Sequence, residues 1–324
     1  MSFGGKLTEL LNATATSTAL GVASRTGLLV ALGPHPQTAE QLASTAGLAP
    51  RWVEEILATL VCGEVVVLGD PPVLLPAGTP EDLTYSLPLE RKEALDGMGL
   101  YFEEIPLLSQ CAFSEVCDAA RSGGGVPPAS YSAFGSWMGK LADGKHASQL
   151  TQTFLPALEG GAVVAALERG GARVLDLGCG EGTAARLIAA AYPTARITGV
   201  DIDAASIAAA IAHPDAAALT NLEFISGDAS SLTTAGDGQA LAGQFDLVLS
   251  FDAIHDLADP AGAMRTAKTL LAPERGVFAM VDIRAATGLR GNLGHDMGAF
   301  MYCVSLMHCM PQGLNCDCHG RCVV

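Results

Sequence analysis

The residues best placed to do chemistry are acids that close short apolar runs in the second half of the chain. The first run leads into Asp176-Leu177-Gly178-Cys179-Gly180-Glu181-Gly182-Thr183 and then directly into a helical pattern. Glycines at this spacing let the backbone turn sharply and let a ligand approach closer than a Cβ allows. A dinucleotide loop would read Gly-x-Gly-x-x-Gly with a pyrophosphate on the helix N-terminus. Here the third glycine of that pattern falls on Thr183, and Asp176 would stand beside the phosphates. An acid at that point suits a ligand carrying an ammonium or sulfonium group, which argues against a nicotinamide oxidoreductase.

The following runs end the same way. Gly199-Val200-Asp201-Ile202-Asp203 places Asp201 beside the glycine loop, where a carboxylate can accept both hydroxyls of a ribose. Ser226-Gly227-Asp228-Ala229 places Asp228 where a carboxylate can take an adenine amine. A lone acid at a strand end is often a helix cap, and Asp203 reads equally well as one; three in succession after a glycine loop are harder to assign to caps. The fourth run ends in Phe251-Asp252-Ala253-Ile254-His255-Asp256. His255 and Asp256 are the titratable pair nearest the ligand by topology and are the expected catalytic residues. The alternative is that His255 only orders its loop. His295 and His308 are weaker candidates, and Cys179 reads as a small side chain in a tight turn.

These residues need a scaffold that holds strand ends side by side. From Arg173 onward, apolar runs alternate with helical stretches: 174–177, 184–192, 196–202, 204–211, 222–225, 245–251, a helix that Asp259 caps and Pro260 begins, and 276–283. Repeated strand–helix units with non-alternating strands predict a doubly wound, mostly parallel α/β sheet. Ligands in such sheets bind beyond the carboxyl ends of the strands.

Three domains are expected: 1–95, a helical linker or lid over 96–160, and the ligand-binding domain over 161–324. In the first, helical spacing over 19–32 ends at Gly33-Pro34, Thr38-x-x-Gln41 forms a capping box, and Pro50 opens a helix with the stripe Val53, Ile56, Leu57, Leu60. Extended runs at 65–68 and 83–87 follow. Helix, short helix, helix and two-stranded ribbon is the order of a winged helix. Residues 1–95 carry five basic and ten acidic side chains, however, and a DNA reader needs a basic face. Dimerisation or covering of a substrate is the better reading. In the lid, Tyr131, Phe134, Met138 and Leu141 form an apolar stripe, read as core or as a cleft wall.

The whole chain has 18 basic and 34 acidic residues, which disfavours broad contact with nucleic acid or anionic membrane. No apolar run reaches the length of a membrane span and the N-terminus does not read as a signal peptide, so a cytoplasmic protein is expected. Cys62, Cys111, Cys117 and Cys179 read as free thiols. The terminal Cys316-x-Cys318-His319-x-x-Cys322 matches no paired Cys-x-x-Cys spacing, and no metal site is assigned.

With these motifs in order, residues 172–283 resemble the class I S-adenosylmethionine-dependent methyltransferases. The whole chain resembles a subgroup with a winged-helix front, through Gly123-Gly124-Gly125-Val126-Pro127, Phe251-Asp252-Ala253-Ile254-His255-Asp256 and Met307-His308-Cys309-Met310. The resemblance implies S-adenosylmethionine as cofactor, with its methionine end near Asp176, Gly178, Gly180 and Gly182. It places the ribose on Asp201, the adenine near Ile202, Asp228 and Ala229, and Phe251 at the border of the site. It implies methyl transfer, with a small molecule as the expected acceptor, and the acidic front domain is expected to pair two copies as a homodimer or cover the substrate; a catalytically inactive relative or a ligand-sensing regulator are the alternatives. Two departures stand out. Pro273-Glu274-Arg275-Gly276 replaces the usual Pro-Gly-Gly turn, and the last two strands of the fold are not visible after residue 283. One helical stretch is expected over 292–310, and the strand at 277–283 is expected to form an open apolar edge.

Overall fold

The computed structural model describes residues 2–69, 83–233 and 240–315. The expected cluster at Cys316, Cys318, His319 and Cys322 lies outside them. Two compact units divide at Gln110 and Cys111, rather than near residues 95 and 160. The physical reason is a continuous 22-residue helix, Tyr101–Ser122, that crosses the expected linker.

The front unit has helices α1 (Phe3–Arg25) and α2 (Leu28–Ala31), strand β1 (Gln37–Thr38), and helices α3 (Ala39–Ala46) and α4 (Pro50–Cys62). Strands β2 (Val67–Leu68) and β3 (Thr84–Ser86), helix α5 (Leu89–Met98) and the start of α6 (Tyr101–Ser122) complete it. The helix expected over 19–32 is interrupted, because Gly27 adopts φ 78° and separates α1 from α2. The capping box forms as expected: the Gln41 N–H donates to Thr38 Oγ1 at 3.3 Å, and the Thr38 N–H donates to Gln41 Oε1 at 2.9 Å. Val53, Ile56, Leu57 and Leu60 are buried on one face of α4. The three short strands pair antiparallel in the order β1-β3-β2, which gives the winged-helix arrangement.

In the second unit, α7 (Ser132–Gln149) continues through a π-helical turn at Leu150–Phe154 into α8 (Leu155–Ala157) and α9 (Ala162–Arg169). The stretch Pro128–Arg169 is long and apolar enough to cross a membrane by length and composition. It is not one helix: Glu159 and Gly160 take φ values of 47° and 59° and break it, and Tyr131, Phe134, Leu150, Leu155 and Leu167 are buried within the protein.

The sheet contains β4 (Arg173–Leu177), β5 (Arg196–Asp201), β6 (Leu222–Ser226), β7 (Leu247–Phe251) and β8 (Val277–Val281), with α10 (Thr183–Ala191), α11 (Ala204–Ala212) and α12 (Pro260–Leu270) between them. Its order is β6-β5-β4-β7-β8, and every pairing is parallel. Successive side chains of β4 serve opposite layers. Val174 packs with Ala185 and Ile188 of α10, while Leu175 and Leu177 join Ala263, Ala267 and Leu270 of α12. Burial on both faces explains why the strands read as unbroken apolar runs. Asp203 caps α11 by accepting from Ala205 and Ser206 N–H groups, and Asp259 caps α12 by accepting from Gly262.

Among the described residues no strand pairs beyond β8, and Met280, Val281 and Ile283 are exposed along this edge. The single helix expected over 292–310 is instead α13 (Gly288–Gly291), α14 (Gly298–Val304), a π-helical turn at Ser305–Cys309 and α15 (Met310–Gly313). Gly294, at φ 86°, cannot continue a right-handed helix and keeps the segments apart.

Candidate functional site

Strand order reverses on either side of β4, and a crevice opens at the carboxyl end of this strand, as expected at such a switch point. Past Leu177 the chain turns through Gly178, Gly180 and Gly182 at φ values of 73°, 53° and 78°. A Cβ on Gly178 would lie 2.4 Å from the Ala253 Cβ, and one on Gly182 would lie 2.4 Å from the Phe224 ring. A Cβ on Gly180 would meet nothing within 4 Å. Gly178 and Gly182 therefore serve close packing, whereas Gly180 leaves open space at the crevice.

Two carboxylates face this loop from behind. Asp201 Oδ2 accepts the Gly180 N–H at 2.8 Å, and its Oδ1 accepts the Asp203 N–H at 2.9 Å. Burial raises the Asp201 pKa, with these backbone donors opposing the shift. Asp176 is only 2% exposed, and its Oδ2 is buried without a hydrogen-bond partner. Burial first, then the neighbouring Asp201 charge, pushes its pKa up to about 7. An orphaned carboxylate oxygen on the crevice wall is costly unless a ligand cation or donor meets it. The same burial and acids push the Cys179 thiol up, in keeping with a small, unreactive side chain.

The crevice encloses about 700 Å³ and is bordered by Asp176, Gly178, Gly180, Phe251 and Asp252, with Met138, Leu141 and His146 of α7 forming the opposite wall. The apolar stripe of the expected lid thus divides in two: Tyr131 and Phe134 are buried, while Met138 and Leu141 line the cleft. Helix α7 is fastened to the start of α10. The Thr183 hydroxyl donates to Asp143 Oδ1 at 2.6 Å. Arg186, itself buried, donates to Thr183 Oγ1 at 3.3 Å and to the Glu181 carbonyl, and its Nη2 lies 3.8 Å from Asp143 Oδ1.

A second cavity of about 260 Å³ is lined by His255, Met280, Asn292, Tyr302 and Cys309, among others. Asp282 and Ile283 border both cavities. His255 Nδ1 lies 2.6 Å from Asp282 Oδ1, and its Nε2 lies 3.2 Å from Asp256 Oδ1. Burial presses the His255 pKa down, but the Asp282 hydrogen bond and the charges of Asp256, Asp282 and Asp252 outweigh it, so it is pushed up to about 9. The imidazole therefore keeps its proton at neutral pH, and accepting another group's proton requires that one to leave first.

Of the expected ligand residues, Asp176, Gly178, Gly180 and Phe251 border the larger cavity. Asp201 is joined to it through Gly180. Gly182 and Ala229 are packed inside, Ile202 is 67% exposed, and exposed Asp228 accepts from the Ser230 N–H and hydroxyl. His255 and Asp256 come together as expected, but at the smaller cavity. Asp282, Asp143, Thr183 and Arg186 were not singled out from sequence. A signal for Asp282 exists: Val281-Asp282 repeats the apolar–acid ending of Val200-Asp201 and Phe251-Asp252. His308 sits beside Asp256, its Nδ1 3.9 Å from Asp256 Oδ2.

Residues 168–312 match the family described as Methyltransferase domain. Trans-aconitate 2-methyltransferase of Streptomyces avermitilis is 43% identical over 93 residues, covering 28% of this chain and 33% of that protein. The chain thus matches about a third of the length of this curated relative. Among solved structures, a candidate O-methyltransferase from Nostoc punctiforme superposes with a TM-score of 0.64 at 17% identity, covering all of this chain and 90% of the other. Human N-acetylserotonin methyltransferase in complex with S-adenosylmethionine superposes with a TM-score of 0.54 at 17% identity, covering 95% and 87%. The fold of the second unit is that of the class I methyltransferases, a Rossmann-like parallel sheet, which the front unit precedes in sequence.

Proposed function

Starting from a methyltransferase domain on residues 168–312, we propose that this chain is an S-adenosylmethionine-dependent methyltransferase acting on a small-molecule acceptor. The observation that carries the reading is the buried, partnerless Asp176 Oδ2 on the wall of the larger cavity. This oxygen fits the ammonium of the cofactor's methionine end, and the bare Cα of Gly180 leaves room beside it. Asp201 holds the ribose through the lone pairs that its two backbone donors leave over. Ile202, Asp228 and Ala229 flank the adenine.

The bound cofactor supplies an activated methyl group on a sulfonium. The protein aligns the acceptor and excludes water. Helix α7, through Met138 and Leu141, forms the dry wall over the cleft. The smaller cavity receives the acceptor, because it meets the larger one at Asp282 and Ile283. His255 and Asp256 are the catalytic pair at this end, with neutral His255 accepting the acceptor's proton where the nucleophile carries one. The relatives act on small molecules according to their names, trans-aconitate and N-acetylserotonin. Its acid excess supports a protein without nucleic-acid or anionic-membrane partners; a cytoplasmic location and pairing through the front unit complete the reading.

The protonation of His255 at neutral pH favours one competing reading, a protein that binds the cofactor without transferring its methyl group. Calorimetry with S-adenosylhomocysteine and NAD, followed by turnover of labelled S-adenosylmethionine against a metabolite extract, separates the two. Binding of S-adenosylhomocysteine with transfer of label supports the enzyme. Binding without transfer supports the competing reading, and preference for NAD overturns both.

A further inference from the structure

Beside the smaller cavity, two segments far apart in sequence bring metal-ligating side chains together. His255 and Asp256 follow β7, whereas His308 and Cys309 belong to the π-helical turn at 305–309. One ligand atom each from His255, Asp256 and Cys309 lie within 4.8 Å of one another. His308 closes the group from the far side, with Nδ1 3.9 Å from Asp256 Oδ2 and 4.0 Å from Cys309 Sγ.

Each histidine is held from outside by one ring nitrogen. His255 Nδ1 is 2.6 Å from the Asp282 carboxylate, and His308 Nε2 is 2.6 Å from the Gln312 side-chain amide. The opposite nitrogens, His255 Nε2 and His308 Nδ1, are the ones near Asp256. Metal-binding histidines ordinarily donate one N–H to an outer acceptor and turn the other nitrogen to the ion; His255 has this arrangement through Asp282, and His308 takes it once the Gln312 amide turns its oxygen, in place of its nitrogen, toward His308 Nε2. The His308 ring is further fixed by Tyr131 and Phe134, at centroid distances of 5.0 and 4.6 Å. The Tyr131 hydroxyl pins the same turn by donating to the Met307 carbonyl at 2.7 Å.

We propose that His255, Asp256, His308 and Cys309 bind one zinc-class divalent cation at the edge of the acceptor cavity. Two imidazoles, a thiolate and a carboxylate form a borderline-soft set suited to zinc, not to magnesium or calcium, which take oxygen ligands. Metal–ligand bonds of about 2.0–2.3 Å place tetrahedral ligands about 3.3–3.6 Å apart. To reach that geometry the ligand atoms of His255, Asp256 and Cys309, now within 4.8 Å of one another, draw together, and His308 joins them from its place 3.9 Å from Asp256 and 4.0 Å from Cys309. Charge also balances: Asp256 and the Cys309 thiolate neutralise the dication, and both the thiol proton and the second imidazole proton of His255 pass to solvent on binding. In the loaded protein His255 and Asp256 are ligands, so zinc occupancy replaces the proton-accepting role given to His255 above, while cofactor binding at Asp176 and Asp201 is unaffected. The proposal predicts metal content and does not depend on methyl transfer, so either reading can fail without the other.

The full chain, stripped with a chelator and titrated with zinc and with cobalt(II), tests this. One equivalent of zinc by mass spectrometry is expected, together with tetrahedral cobalt bands and a near-ultraviolet thiolate charge-transfer band. Cys309→Ser should abolish the charge-transfer band, and His308→Gln should weaken zinc binding by at least about tenfold. Replacing Cys316, Cys318 and Cys322 together by serine should leave both signals unchanged. Substoichiometric zinc in the wild-type chain, undiminished binding in folded Cys309→Ser, or loss of binding only in the triple variant would each overturn the proposal.

Discussion

Asp282 Oδ1 stands 2.6 Å from His255 Nδ1, on a wall that two cavities share. The pair joins the ends of adjacent strands, because the register that sets Phe251 beside Val281 brings the residues after each strand together. Asp282→Asn keeps the shape and removes the charge. In chelator, the His255 titration followed by NMR should fall from about 9 toward the ordinary histidine value. The folded-state pKa is raised, so its stabilisation is full below the unfolded value near 6.5 and is lost as pH rises through about 9. The melting-temperature gap between wild type and Asp282→Asn should therefore be widest below pH 6.5 and close by about pH 9. A gap that does not change with pH would show that the pair contributes nothing through charge.

Asp176 titrates with the opposite consequence for its ligand. Its carboxyl is pushed up to about 7, so the ligand-free protein is favoured by the protonated form and loses stability as pH rises from about 4 to about 7. Asp176→Asn should melt higher than wild type at pH 8, with the difference vanishing near pH 4. A cationic ligand needs the ionised form, so S-adenosylhomocysteine should bind wild type more tightly as pH rises through 7. The variant should bind at least about tenfold more weakly and without that pH dependence. Equal affinities at pH 8 would remove Asp176 from the cofactor site.

Asp201→Ala removes two hydrogen bonds from the glycine loop as well as the proposed ribose acceptor. A charged hydrogen bond contributes on the order of 1.5–3 kcal/mol. Calorimetry should show S-adenosylhomocysteine affinity reduced at least about tenfold in a chain that still folds, with Asp201→Asn intermediate because one acceptor oxygen remains. An unchanged dissociation constant in folded Asp201→Ala would end the ribose assignment.

Asp143 links α7 to Thr183 and Arg186 across the cleft. Asp143→Ala should speed release of S-adenosylhomocysteine by several-fold in stopped-flow measurements while changing the association rate less. Equal release rates would mean that α7 is held by its apolar contacts alone.

The glycine turn could be read from sequence because it is local: Asp176, Gly178 and Gly180 lie within five residues, and the turn follows from glycine's freedom at positive φ. The strands were readable because both their faces are buried, which leaves unbroken apolar runs such as Val174 to Leu177. Asp282 was not singled out, since its partner lies 27 positions away and only the parallel register of β7 and β8 joins them. His308 and Cys309 were visible as a candidate and a motif, but their approach to His255 and Asp256 depends on the packing of the π-helical turn at 305–309, which no local pattern encodes. Helix α1 was begun too late because Phe3 to Thr18 carries exposed apolar residues without a buried stripe, and periodicity reads only stripes. Residues 292–310 misled in the other direction: the apolar run from Met297 to Val304 drew attention from a break at Gly294 and a π-helical turn at 305–309.

Because Asp282 and Ile283 belong to both cavities, whatever fills one alters the surface presented to the other. Thermodynamic linkage makes such an influence mutual: the factor by which one occupant tightens the second is the factor by which the second tightens the first. If both cavities take a ligand, this shared wall of two residues is where coupling between them would be read: the measured affinity of either ligand would then depend on the concentration of the other.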